Sequence, residues 1–198
     1  LDSQVATLLL SQTVNIMSEG ELIQLQRRYD IGLSENDYFD IIERKTASLC
    51  AASCRLGAVF AGANRKVADM LSNYGLKIGI AFQIVDDCLD VMGSEDEIGK
   101  SLNTDIQKGK LTLPLIRLVN MLPSNKLETT KELIFQHTAK ESKNSILDLL
   151  TEHDAVEYAF NTAKKIVREA QEEIAPLPDS QYKTALIELA DYIVSRRI

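Results

Sequence analysis

The stretch Gly79-Ile-Ala-Phe-Gln-Ile-Val-Asp-Asp-Cys-Leu-Asp-Val-Met-Gly93 combines apolar residues at helical spacing with three aspartates and a glutamine. In an α-helix each residue turns the chain by about 100°. Gln83, Asp86, Asp87 and Asp90 follow one another at steps of 3, 1 and 3, so they share one narrow edge. Ile80, Ile84, Val85, Leu89 and Val91 occupy the rest of the circumference and can bury against neighbouring helices. Acidic side chains one turn apart repel each other and weaken a bare helix. A hard dication among them would offset that repulsion, and Mg²⁺ takes carboxylate oxygens that it often shares with substrate phosphates. For the aspartates alone, the competing reading is a solvated acidic face beside a core stripe.

Apolar residues at i, i+3 and i+4 recur along the whole chain and strand-like alternation is nearly absent, which predicts an all-α protein. With 198 residues, 45% of them hydrophobic, the chain can bury one good core. No linker divides it, so residues 1–198 are read as a single helical domain. A net charge of −7 without any basic block argues against nucleic acid as a partner. No apolar run approaches the roughly 18 residues that a spanning helix needs, which predicts no transmembrane segment. The segment Val5–Leu10 lacks the basic leader and small-residue cleavage site of a signal peptide. Cys50, Cys54 and Cys88 have no second ligand pair for zinc and are read as reduced thiols of a cytoplasmic protein. His137 and His153, alone near helix ends, are read as surface or capping residues.

Residues 3 to about 29 read as one helix, with Val5, Leu8, Leu9, Thr13, Ile16, Met17, Leu22, Ile23 and Leu25 as its apolar stripe and no obvious cap at Leu1. After the stop at Asp30-Ile-Gly32, the pair Ser34 and Asp37 forms a capping box. The helix behind it is expected to run from about Glu35 to Gly62, with Phe39, Ile42, Leu49, Ala52 and Leu56 inward. Asn64 caps a third helix, from about Arg65 to Met92, that carries the acidic edge. Helical patterns follow at Leu111–Leu122, Ser124–Thr138, Ser142–Leu150, Ala155–Ile174 and Ser180–Arg197, and they show packing without chemistry.

FQxxDDxxD at Phe82–Asp90, then Gly99-Lys100, then Asp105-Ile-Gln-Lys-Gly-Lys110-Leu-Thr112-Leu-Pro114, resembles the second aspartate-rich motif and following loop of the trans-isoprenyl diphosphate synthases, in particular the long-chain octaprenyl type. Glu43-Arg-Lys45-Thr46-Ala-Ser-Leu49 is similar to the family's KT element, and Ser18-Glu-Gly-Glu21-Leu-Ile-Gln24 to its EGExxQ segment. Asn103 stands where the family usually has glycine, and asparagine tolerates left-handed geometry better than other residues with a side chain.

The resemblance implies an isoprenoid-synthase helical bundle around a central acidic cavity. It implies extension of an allylic diphosphate by isopentenyl diphosphate to a polyprenyl diphosphate, with Mg²⁺ as the cofactor, in a homodimer. Asp86, Asp87 and Asp90 would serve the metal. Lys45, Thr46, Lys100 and Lys110 would hold the diphosphate, with Lys108 in the same closing loop, and Gln83 would steady the site or the cation. A lysine suits phosphate as a compact point charge.

The family's first aspartate motif with its arginine pair, and its Gly-Lys-x-x-Arg element, are absent, since Asp86-Asp87 is the one adjacent aspartate pair. Together with a first residue other than Met, this suggests a chain cut at its N-terminus from something longer, inactive by itself. The alternative is a non-catalytic helical subunit or scaffold that completes the site of a catalytic partner in a heteromeric prenyl synthase.

Overall fold

The fold turns on one 28-residue helix, Arg65–Met92, here α4. In the computed structural model, residues 3–92, 104–135 and 140–196 are described. The other helices are α1 (Gln4–Gln26), α2 (Glu35–Ile42), α3 (Ser48–Phe60), α5 (Thr104–Gln107), α6 (Leu113–Met121), α7 (Ser124–Phe135), α8 (Lys140–Glu152), α9 (Ala155–Ile174) and α10 (Gln181–Ser195). A π-helical segment, Glu43–Ala47, joins α2 to α3. Among the described residues there is no strand, so the fold is all-α.

Capping sets the helix starts. The Ser3 hydroxyl accepts from the Ala6 N–H at 3.3 Å, so α1 opens at Gln4. Both halves of the Ser34–Asp37 capping box are formed. The Asn64 side chain accepts from the Val67 N–H at 3.0 Å at the head of α4.

Packing around α4 follows from small residues. α3 lies along one side of it and α9 along another. On α9, Ala155, Ala159, Ala163, Val167, Ala170 and Ile174 are all buried, a ridge of mostly small side chains on one face that lets the two helices approach closely. They meet Ile78, Ala81, Ile84, Val85, Cys88 and Val91 in a core that continues into Leu113, Leu115, Ile116 and Leu118 of α6. Polar ties fix the register: Lys77 pairs with Glu173 of α9 at 2.7 Å, and the Tyr74 hydroxyl donates to the Leu186 carbonyl of α10 at 2.7 Å.

Three expectations need revision. Of the stripe expected on α1 Thr13 is buried, with Ala6 and Gly20 beside it, while Val5, Leu8, Ile16, Leu22 and Leu25 are exposed. Small side chains let α1 settle on α3 and the π segment, and the big ones are left on the far side of this single chain. Leu49 is exposed as well. Finally, the helix expected over residues 35–62 is interrupted by the π segment.

Candidate active site

The π segment sits between two glycines. A Cβ on Gly20 of α1 would lie 2.7 Å from the Lys45 backbone nitrogen, and one on Gly79 of α4 would lie 2.5 Å from the Ala47 Cα. Only hydrogen fits at both places. α1 and α4 therefore grip Lys45-Thr46 from both sides.

The π geometry also changes what faces α4. Eight α-helical residues would carry position 46 about 80° round the axis from position 38. A π turn has more residues per turn and takes up part of that offset. Tyr38 and Thr46 consequently both reach the same edge of α4.

On that edge the side chains form a continuous chain. The Thr46 hydroxyl donates to Gln83 Oε1 at 2.9 Å. Gln83 Nε2 donates to Asp87 Oδ1 at 2.8 Å. The Tyr38 hydroxyl donates to Asp87 Oδ2 at 2.7 Å. Asp87 is 4% exposed, and both its oxygens are engaged. Burial pushes its carboxyl up to about 7; the hydrogen bonds from Tyr38 and Gln83 oppose this, and the charges of Asp105 and Asp86 add to it. Burial, then the charge of Asp87, holds the Tyr38 hydroxyl well above its ordinary range, so Tyr38 is a donor at neutral pH.

Lys45 points the other way along α1. Its Nζ donates to Gln24 Oε1 at 2.7 Å and lies 3.0 Å from Glu21 Oε2, which brings the KT element onto the EGExxQ segment. Asp86 lies on the open side of α4, its side chain 54% exposed and its Oδ1 3.7 Å from Arg196 Nη2. The Arg196 guanidinium stacks 5.1 Å from the centre of the Phe82 ring. Asp90 Oδ2 accepts from the Asp105 N–H at 3.2 Å, and Asp105 Oδ1 lies 3.1 Å from Lys110 Nζ. The loop carrying Lys110 is tied to the end of α1, where the Tyr29 N–H donates to the Gly109 carbonyl at 2.7 Å and the Arg28 guanidinium donates to the Lys108 carbonyl.

The structure thus joins Thr46, Gln83 and Asp87 in one chain of bonds, links Asp90 to Lys110 through Asp105, and keeps Asp86 apart from both. Lys100, with Gly99 and Asn103, lies outside the described residues, as does His137. Two participants went unread in the sequence. Tyr38 is 49 residues from its partner and Arg196 is 110 from its own, and no local pattern marks either pairing.

Oxygen donors on an open helical edge suit a hard dication that keeps places for phosphate oxygens. Among the described residues, no three His, Cys, Asp or Glu side chains converge as a closed metal cage. Asp86 and Asp90 fit as partial ligands, whereas the oxygens of Asp87 are taken up inside the protein. No helix among the described residues is long and apolar enough to cross a membrane.

The chain is 35% identical over 196 residues to the octaprenyl diphosphate synthase of Haemophilus influenzae, an alignment covering 99% of this chain and 60% of that protein. It is 35% identical over 191 residues to the geranylgeranyl diphosphate synthase of Methanosarcina mazei, covering 94% of this chain and 56% of that one. The solved polyprenyl synthase of Caulobacter crescentus, complexed with calcium and isoprenyl diphosphate, superimposes with a TM-score of 0.93 at 33% identity, over 100% of this chain and 60% of that one. The chain thus spans 60% or less of these relatives' own length. The family model described as "Polyprenyl synthetase" matches residues 2–150, and the chain belongs to that family.

Proposed function

We propose that the intact protein to which this chain belongs is a Mg²⁺-dependent trans-polyprenyl diphosphate synthase. It would join isopentenyl diphosphate to an allylic diphosphate, head to tail. The observation that carries this reading is the chain of bonds from the KT element to the FQxxDDxxD edge, Thr46–Gln83–Asp87.

In this reading the allylic C–O bond breaks, diphosphate leaves, the isopentenyl double bond attacks the resulting carbocation and a proton is lost. Bound Mg²⁺ would supply charge neutralisation of the leaving diphosphate. Asp86 and Asp90 would hold it from this chain. Lys45 and Lys110 each face a carboxylate here and would exchange that partner for a phosphate oxygen, with Lys100 as a third cation. Fixed cations aimed at the leaving group are worth most where water is excluded. Thr46 has a single hydroxyl proton, now given to Gln83, and would turn it to the diphosphate when substrate arrives. Gln83 would then present its freed carbonyl oxygen toward the cation.

The proposal includes a homodimer. Val5, Leu8, Val14 and Leu22 leave an apolar face of α1 open, the kind of surface that a second copy covers. A second reading, a helical subunit that completes a partner's site, draws on the 32% identity to the heptaprenyl diphosphate synthase component 2 of Bacillus subtilis.

The test is incorporation of labelled isopentenyl diphosphate into polyprenyl product by the full-length protein with Mg²⁺. The enzyme reading expects turnover that EDTA abolishes, and no turnover by the 198-residue piece. A full-length protein inactive alone but active with a second polypeptide would establish the subunit reading.

A further inference from the structure

We propose that Tyr38 is a positioning residue of this site: through Asp87 it sets the orientation of the Gln83 amide, and through that amide the direction of the Thr46 hydroxyl. The proposal rests on the prenyl-transfer reading for its catalytic consequence and on geometry for its mechanism.

A primary amide has a donor end and an acceptor end, so it can face a site in two ways. What selects one is the partner behind it. Asp87 accepts through both oxygens, from the Tyr38 hydroxyl at 2.7 Å and from Gln83 Nε2 at 2.8 Å. A carboxylate held this way draws the NH₂ of Gln83 inward and leaves Oε1 outward. Oε1 then takes the only proton Thr46 has, at 2.9 Å. Every proton in the sequence Tyr38, Asp87, Gln83, Thr46 thus has its place because an acceptor stands in the middle.

Tyr38 contributes the part that packing alone would not. Tyr38 is 3% exposed and its ring packs edge-on against Phe39, and a phenylalanine would keep that. Its hydroxyl is what stops the Asp87 carboxyl from rotating about its last bond. Without it Asp87 Oδ2 would lack its partner and the carboxyl could turn, releasing Gln83 to flip. Supporting partners of this kind commonly contribute 10–100-fold to function at ligand-binding sites.

The experiment uses the full-length protein and two readouts. Selective ¹⁵N-glutamine labelling gives the side-chain amide resonances of Gln83, identified by their loss in Gln83→Ala. In Tyr38→Phe these resonances should move and exchange faster with solvent, with a melting temperature high enough for the protein to remain folded. With Mg²⁺, kcat should fall about tenfold while KM for isopentenyl diphosphate stays within about twofold. The double variant Tyr38→Phe/Gln83→Ala should be no slower than Gln83→Ala, because both changes remove the same device.

Unmoved Gln83 resonances in Tyr38→Phe, or rate losses that multiply in the double variant, would overturn the proposal. Should Tyr38→Phe fail to fold, Asp87→Asn, nearly the same size, carries the same expectations. If the wild-type protein shows no turnover, the prenyl-transfer reading falls, and the resonances still decide whether Tyr38 orients Gln83.

Discussion

Asp86 and Asp87 are neighbours in one motif and have opposite surroundings. Asp86 has a side chain 54% exposed and an arginine 3.7 Å away, a distance at which an exposed pair contributes little. Asp87 is buried, with a tyrosine and a glutamine donating to its two oxygens. One residue of rotation about α4 turns a carboxylate from a group open to ligands into part of the protein's interior. A motif of three aspartates is therefore not three equivalent ligands. Asp86 faces outward, and Asp87 organises the side chains around it.

The largest effect expected from that contrast is on catalysis. In the full-length protein, Asp86→Ala should lower incorporation of labelled isopentenyl diphosphate by about two orders of magnitude or more, and the thermal unfolding curve should stay where it is. Wild-type turnover in this variant would remove Asp86 from the proposed metal site and erase the distinction between the two aspartates.

Next is the stability of the inner position. Asp87→Ala leaves the Tyr38 hydroxyl and the Gln83 amide without their acceptor in a dry environment, and each orphaned group costs roughly 1–3 kcal/mol. A loss of about 4 kcal/mol is expected from chemical denaturation, against a negligible change for Asp86→Ala. Equal stabilities would mean that water reaches Asp87.

How much of this was legible beforehand divides along the same line. The bounds of α4 could be read because Asn64 is a cap and the apolar period runs unbroken to Met92. The capping box at Ser34 was legible for the same local reason. The buried side of α1 was not. The expected stripe held Thr13 but not Ala6 or Gly20, small residues on the side where α1 meets the π segment and α3. The π segment leaves no periodic trace either, because a widened turn shifts the pattern without changing the residue types. The site residues within one helix could be placed on one edge, but their roles depend on side chains arriving from far away. Tyr38 separates Asp87 from Asp86, and Arg196 comes from a region that reads as packing alone.

The third expectation concerns pH. In an unfolded chain an aspartate gives up its proton near 3.9. In the folded protein burial holds Asp87 up to about 7. Between those values the folded state binds the proton and the unfolded state does not, so raising the pH favours unfolding. This contribution is fully present below about pH 4, is lost through the window up to about 7, and is level above it. Without added divalent cation, the wild type should lose stability relative to Asp87→Asn across that window, at no more than about 1.4 kcal/mol per pH unit. A wild-type curve parallel to that of Asp87→Asn would indicate a carboxylate that is ionised throughout.

The smallest effect tests the outer side from its only described partner. Arg196 reaches Asp86 from beyond the end of α10 and lies over Phe82, which is itself partly open. An exposed carboxylate and a partly covered guanidinium 3.7 Å apart at the surface gain typically 0–1 kcal/mol. Arg196→Ala should therefore leave the unfolding free energy within about 1 kcal/mol of wild type, in 0.05 M salt and in 0.5 M salt alike. A larger loss, shrinking as salt is added, would show that Asp86 is held in place as its neighbour is. The two aspartates would then differ in partner and not in kind. A silent substitution leaves Asp86 as a carboxylate that the fold does not need, which is what the proposed metal role requires of it.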